Sequence, residues 1–389
     1  MIKNLLHKKI VWIGGAIVVV FVLWWFLGRK SGTQIQYQTA AAEKGITSSE
    51  AIVTSTGRLG VSRRSDDRLA IIGGYSNDPS HVTNTFRRLQ GVGEGYPNRF
   101  SRVYMRGVVG PDVMEHVRSN GLGSHLEVAL PLAEYTGQDD WFIHLAKNGE
   151  GRQSTIVSLS TLEEIAARFS PSVSPRERVA TKIEGGYSFT DHINPSQIGE
   201  IQEMWGDTFG WDTQQVENFQ EMLLAQQYLP PSLRTTWITI AQAENGKVAG
   251  LAMAEKSTMS GVSGRPFDVI ESTEWKVDPE HRGQQLMPAI LSVLNAKVIG
   301  DQQEGQVPFL YAETNIATRA YMSGHSAGFR MPSTQDAPQI LVQNVAVGDG
   351  IENQDAFRDF VFMAIPPDII RADYPSGQIT AIKELAGIK

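Results

Sequence analysis

Residues Glu271 to Met287, ESTEWKVDPEHRGQQLM, constrain this chain most, because they lead an extended segment through a Pro-bearing turn into the start of a helix. Val269 to Val277 read as a strand, Asp278 to Glu280 as the turn, and Leu286 to Val298 as a helix with Leu286, Ile290, Leu294 and Val298 on one stripe. Pro288 fits only a first helical turn, where a missing N–H leaves no bond unmade. The free N–H groups of such a helix start, beside Arg282 and Gly283, make an anion site suited to a pyrophosphate. Upstream, Trp237 to Ala241 and Val248 to Ala254 flank Glu244-Asn245-Gly246-Lys247, a hairpin signal. Downstream, Val307 to Ala312 predict a strand, and a helical stretch ends at Ala327-Gly328-Phe329.

On these residues the chain resembles a known family. Val277-Asp278-Pro279-Glu280-His281-Arg282-Gly283 is similar to the acetyl-CoA signature of the GNAT acetyltransferase superfamily, and the surrounding elements come in the order that fold requires. The resemblance implies an α/β fold with a mixed, strongly twisted sheet flanked by helices. It also implies acetyl-CoA as co-substrate, bound by Val277, Arg282, Gly283, Gln284, Gln285, Leu286 and Met287, with Asn315 on the pantetheine chain or capping the next helix. Two positions depart from the pattern: Gln285 and Met287 stand where Gly and Gly or Ala are usual. Gln285 is expected to donate its N–H from a helical backbone, and Met287 to narrow the pocket mouth. Gly324 stands where the superfamily commonly has a Tyr that protonates the leaving thiolate. Tyr321 is the nearest hydroxyl, about 4.5 Å along the helix axis, and its alternative role is a packed aromatic.

A narrower resemblance, to beta-lysine N-acetyltransferases, rests on Glu271-Ser272-Thr273-Glu274-Trp275, Gly250 to Glu255, and Gln339 to Val345, and continues upstream over Ser101 to Asn148. It implies a small cationic amine as substrate. Amine acetylation needs a base near the thioester, and Glu274, in the strand before the signature, is the expected one; its other reading is an ion pair with Lys276 or Arg282. Glu271 lies on the opposite face if the strand is regular, as a substrate-ammonium contact or a solvated edge residue. Glu271, Glu274, Glu313 and Asp349 near the cleft suit a cationic amine.

Other chemistries find less support. Gly324-His325-Ser326-Ala327-Gly328 fits a serine-hydrolase pattern, yet the residues before it are helix-like and His325 is the last histidine, so no later His completes a triad. Gly91-Val92-Gly93-Glu94-Gly95 lacks the preceding strand of a dinucleotide site. A net charge of −7 without basic clusters argues against nucleic acid, and zero cysteines exclude disulfides and thiolate chemistry. The eight histidines have no metal-ligand spacing, so no metal is expected. A catalytically inactive, membrane-anchored ligand-binding or scaffold protein on the same fold is the non-enzyme alternative.

The N-terminus adds a second theme. Ile10 to Gly28 is uncharged and apolar, long enough at about 1.5 Å per residue to span most of a ~30 Å hydrocarbon core, and reads as a single membrane anchor. Residues 1–45 resemble the anchor and exit of periplasmic efflux adaptor proteins. Lys3, Lys8 and Lys9 before the span, against Arg29 and Lys30 after it, give only a slight bias toward a cytoplasmic N-terminus, whereas activity on acetyl-CoA requires a cytoplasmic catalytic domain. Beyond the anchor come an expected linker (46–66), an N-terminal α/β domain (67–150), a linker with one helix (151–185), the acetyltransferase domain (186–370) and a tail (371–389). No internal repeat is visible in the residues, although the two domains are candidates for a tandem of related folds, the first without the signature. Oligomeric state is open.

Overall fold

Alternation of apolar residues builds two large sheets, wired alike, beside a two-stranded pair of Thr39–Ala40 with Ile46–Ser48. The computed structural model describes residues 39–388 apart from 41–45, 49–50, 55–56, 65–67, 77, 96–101, 149–158, 170–172, 210–211, 261–265, 304–305, 317, 319, 332–340 and 347–356. The expected anchor, 10–28, lies outside the described residues, as do most of 1–45 and Asp349. Among the described residues no helix is long and apolar enough to cross a membrane.

The first lobe begins with a hairpin, β1 (Ala51–Thr54) and β2 (Gly57–Arg64), followed by β3 (Arg68–Ser76). Helix α1 (Pro79–Gly95) crosses over to β4 (Arg102–Val109), parallel to β3. Then come α2 (Pro111–Ser119), β5 (Leu126–Pro131) and β6 (Trp141–Asn148), with β6 inserted between β4 and β5. The order is β1-β2-β3-β4-β6-β5. Along β4 the period of two is plain: Val103, Met105 and Val109 join the core under α1 and α2, while Val108 faces the second lobe.

Helices α3 (Leu159–Phe169) and α4 (Pro175–Glu184) lead to the second lobe, which opens with β7 (Ser188–Thr190), α5 (Ile198–Phe209) and α6 (Thr213–Gln226). The hairpin β8 (Thr236–Gln242) and β9 (Val248–Ser260) precedes β10 (Pro266–Val277), and the helix α7 (Leu286–Gly300) crosses over to β11 (Phe309–Asn315). After α8 (Ala320–Ser326) come β12 (Leu341–Ala346), β13 (Phe357–Ala364), α9 (Pro367–Asp373) and α10 (Ser376–Ala386). Read from β8, the sheet order is β8-β9-β10-β11-β13-β12, the same wiring as the first lobe, down to its one parallel pair and its inserted last strand. The tandem is therefore visible in the topology although not in the residues.

Three boundaries differ from the sequence reading. The expected linker 46–66 carries β1 and β2, and the expected linker 151–185 carries two helices rather than one. The tail 371–389 contains α10, whose Ile382 and Ala386 are buried. The cause is α7. Its residues Leu286 to Val298 are buried all round, not along one stripe, so the sheet alone cannot cover it. Helices α4 and α10 supply the second cover, and Arg178 of α4 donates to Ser292 Oγ of α7 at 2.9 Å.

The sheets meet on the faces opposite their crossover helices. Val108, Leu130 and Phe142 of the first lobe pack with Val269, Phe309, Tyr311 and Phe362 of the second, and α5 and α6 cover the rest of that second face. Burying such side chains stabilises by about 1.5–3 kcal/mol each. The opposite face of the second sheet carries α3, α4 and α7 to α10.

Candidate active site

The turn before α7 is short and sharply bent. Asp278 accepts from Glu280 N at 2.8 Å and starts a short 3-10 turn, Pro279–His281; Arg282 follows in an extended conformation. Gly283 has φ +78° and Gln285 φ +58°, so two left-handed residues bend the chain sharply before Leu286 begins the helix. This corrects the expectation of a helical Gln285 and explains why Gly is usual there: a side chain in this region costs about 1–2 kcal/mol. No side chain caps α7, which leaves its first N–H groups facing outward from the turn. Cations surround the site. Arg282 is exposed and donates Nε–H to Val277 O at 3.3 Å, and Lys182 of α4 donates to Gln284 O at 2.6 Å. Tyr187 donates to Gln284 Oε1 at 2.6 Å and lies 2.9 Å from His281 Nδ1, steadying the turn. Met287, expected at the pocket mouth, is buried in the core instead, because the second position of α7 points inward.

Beside the turn the sheet opens. Strands β10 and β11 pair in parallel only over Val269–Glu271 with Phe309–Tyr311, and then part. The result is a wedge between Ser272–Val277 and Ala312–Asn315, starting next to the helix that carries the anion site. On its other edge β10 bulges: Thr273 pairs with Met253 and Lys276 with Leu251, so Glu274 and Trp275 together oppose Ala252. Glu274 sits at φ +51°, and its carbonyl accepts from Trp205 Nε1 of α5 at 3.1 Å. The regular strand assumed for placing Glu271 and Glu274 on opposite faces is therefore absent. The extra residue re-aims the strand, as bulges beside active sites do.

Gly324 has its own explanation. A Cβ there would lie 3.1 Å from the Trp275 ring and 3.2 Å from Met363 Sδ, so the indole already fills the space a larger residue would need. Trp275 is held by its Nε1–H bond to Ser272 Oγ at 2.9 Å and packs on Phe329 at 5.5 Å between ring centroids.

On the face opposite α7, polar groups gather at the apex of the wedge. Tyr311 donates to Glu271 Oε2 at 2.9 Å and accepts from Arg106 Nη1 at 3.0 Å; Arg106 Nη2 also donates to Glu313. His144 lies 3.8 Å from Glu127 and 3.9 Å from Glu313. Burial opposes the charge on Arg106, but Glu313, with Tyr311, Tyr104 and Glu271, outweighs it and holds the guanidinium well above its ordinary pKa. Burial, then Glu271, pushes the Tyr311 phenol well above its usual range, so it stays a neutral donor. Glu271 is thus partly exposed, and on an interior strand rather than an edge. Arg106, Tyr311, His144 and Glu127 escaped the sequence reading; the available signal was a charge at Arg106 inside the apolar run Val103 to Val109.

No family model matches the chain, and no curated protein matches it. Solved structures similar to it are acetyltransferases. A GNAT-superfamily phosphinothricin acetyltransferase from Sinorhizobium meliloti, in complex with acetyl-CoA, is 16% identical with a TM-score of 0.34, over 46% of this chain and 87% of that one. The spermidine/spermine N-acetyltransferase SpeG from Vibrio cholerae, in mutant forms, is 10% identical with a TM-score of 0.31, over 47% and 96%. A Trypanosoma brucei acetyltransferase is 16% identical with a TM-score of 0.29, over 38% and 96%.

The remaining expected residues fall as follows. Tyr321 is 4% exposed in the apolar core under α8, the packed-aromatic position. Asn315 closes β11, and α8 does not begin until Ala320, so Asn315 is not that helix's N-cap. Ser326 and His325 lie on helix α8, not on a strand-to-helix elbow; Ser326 Oγ bonds to Met322 O at 3.0 Å and His325 Nε2 lies 3.0 Å from Glu163 Oε1. That geometry removes the hydrolase alternative. Gly91 to Gly95 end helix α1. Among the described residues no His, Asp and Glu group could hold a metal ion. A separate cavity of about 760 Å³, lined by Ile299, Tyr374, Ile379 and Lys383, lies at the far end of α7, away from the wedge.

Proposed function

We propose that the second lobe is an acetyl-CoA-dependent amine N-acetyltransferase. The observation that carries this reading is the wedge between β10 and β11, which begins beside an uncapped helix N-terminus and an Arg282-bearing turn. A pyrophosphate at that turn, taking backbone N–H groups and the Arg282 guanidinium, directs its attached pantetheine arm into the wedge. The thioester then arrives on the face where Glu271, Tyr311 and Glu313 are gathered. A backbone N–H of β10 near the bulge at Glu274 holds the thioester oxygen as charge develops on it. Glu274 takes a proton from the substrate ammonium; the amine nitrogen attacks the carbonyl carbon, gives its surplus proton to water, the C–S bond breaks, and the thiolate leaves. Because Tyr321 is in the core, water supplies the thiolate proton.

The acceptor is a small amine with a second positive charge, of the beta-lysine or polyamine class, as the two carboxylates Glu271 and Glu313 beside the one guanidinium of Arg106 favour. The N-terminal apolar run anchors the enzyme, with its catalytic lobe on the side where acetyl-CoA is made. An inactive binding protein is the second reading, favoured by the Trp275 ring packed against Gly324 and by Gln285 in place of Gly.

Calorimetric titration of acetyl-CoA into the chain and its Arg282→Ala variant tests the proposal. Binding weakened by about 10-fold or more in the variant supports the pyrophosphate site. Absence of binding by the unsubstituted chain removes the acetyltransferase reading. Binding without turnover on any amine favours the inactive alternative.

A further inference from the structure

Arg106 belongs to the first lobe, and the hydrogen-bond partners of its guanidinium belong to the second. It is 2% exposed on β4; Nη1 donates to Tyr311 Oη at 3.0 Å, Nη2 to Glu313, and Glu271 Oε2 lies 3.5 Å from Nη1. Glu271 and Tyr311 form the last parallel pair before β10 and β11 separate, and Glu313 follows on the same face. One side chain of the first lobe thus holds three groups around the apex of the second lobe's wedge. Adhesion alone does not account for it. The adjoining contact of Val108, Leu130 and Phe142 with Phe309 and Phe362 already joins the lobes, and a buried ion pair is often no more stabilising than apolar residues of the same volume. Glu271 and Glu313 both lie within ion-pair distance of Arg106, and Glu127 lies 3.8 Å from His144 in the same cluster, so carboxylates line this part of the wedge.

We infer that the first lobe, though it lacks a pyrophosphate turn, is half of the acceptor site, with Arg106 the positioning residue that orients Glu271, Tyr311 and Glu313 toward a cationic amine. The inference rests on the acetyltransferase reading and extends it. Both copies of the fold then serve one reaction, the second holding the acyl donor and the two together holding the acceptor. Arg106 does not touch the reacting atoms; it acts through the groups it holds.

The test compares the full chain with Arg106→Gln, Arg106→Lys and Phe142→Ala, measuring acetyl-CoA affinity, thermal stability, and steady-state kinetics with spermidine and beta-lysine as acceptors. The expected result for Arg106→Gln is a KM for the amine raised about 10-fold or more, with acetyl-CoA affinity unchanged. Arg106→Lys recovers part of the loss, since an ammonium reaches fewer of the three partners than a planar fork. Phe142→Ala, which loosens the same interface and removes no hydrogen-bonding group of the cluster although its ring packs on Tyr311, lowers Tm and raises the amine KM less than Arg106→Gln does. An amine KM unchanged in both Arg106 variants, or raised equally by Phe142→Ala, overturns the inference and leaves the transferase reading intact. A chain that binds acetyl-CoA but acetylates neither amine also overturns it. A chain that binds no acetyl-CoA overturns both. Where Arg106→Gln fails to fold, the Arg106→Lys and Phe142→Ala pair decides the same question.

Discussion

In each lobe a central strand ends at an Asp-Pro step and hands over to the crossover helix: Asp78-Pro79-Ser80-His81 in the first, Asp278-Pro279-Glu280-His281 in the second. In the first, the helix starts at once. Pro79 opens α1, and the Asp78 carboxylate sits at its N-terminus, accepting from Ser80 N at 2.9 Å and Ser80 Oγ at 2.7 Å. In the second, Arg282 to Gln285 intervene, two of them left-handed, and the helix begins without a side-chain cap. The neighbouring strands differ in the same sense. β3 and β4 stay paired from Arg68–Arg102 to Ser76–Val109, whereas β10 and β11 part after three residues. One wiring diagram therefore yields either a closed structural lobe or an open one. A few residues decide which, because an acid already at a helix N-terminus takes the place an anionic ligand would need.

The largest effect expected from testing this contrast is catalytic. Glu274→Gln in the open lobe should lower kcat by about 10²-fold or more while acetyl-CoA affinity holds, measured by steady-state kinetics and calorimetry. Next comes binding: the Arg282→Ala loss should shrink with added salt, because the side chain is exposed, and Arg87→Ala on the exposed face of α1 should leave acetyl-CoA affinity unchanged. A smaller effect has opposite signs in the two lobes. Gln285→Gly relieves a left-handed side chain and should stabilise by about 1 kcal/mol, whereas Gln90→Gly within α1 should destabilise by about as much or more, both read from denaturant unfolding.

The smallest concerns Asp78, held below its usual range first by the Ser80 hydroxyl bond and then by backbone bonds to Ser80 and His81. A depressed folded-state pKa contributes stability above the ordinary carboxylate range and loses it as pH falls through the folded value. Asp78→Ala should therefore lower Tm slightly at neutral pH, flatten the acid limb of the Tm profile, and leave acetyl-CoA binding alone. A second acetyl-CoA molecule bound by that variant would mean that the start of α1 also takes an anion once its acid is removed.

Much of the donor side was legible in the sequence because its signals are local. Pro288 marks a first helical turn, Gly283 a left-handed turn, and Asn245-Gly246 a hairpin, whose Gly246 indeed has φ +80°. The shared Asp-Pro-x-His at 78 and 278 was also present, but four residues are too few to announce a repeat; equivalent strand orders make it visible. The bulge at Glu274 was not legible, since no glycine marks it and its carbonyl is held by Trp205 of α5. Nor was the reason for Gly324, which lies in the Trp275 ring. The helices taken for linker and tail could not be placed without knowing that α7 needs cover on both sides.

The sequence by itself determined most elements of the second lobe and the turn before α7, because backbone preference, proline geometry and apolar period act between near neighbours. The tertiary structure alone decided where the wedge opens, how β10 bulges, and that Arg106 meets Tyr311 and Glu313, 205 and 207 positions away. Those outcomes depend on which faces two sheets present to each other, and the cost of burying a guanidinium is offset only where that packing brings its partners.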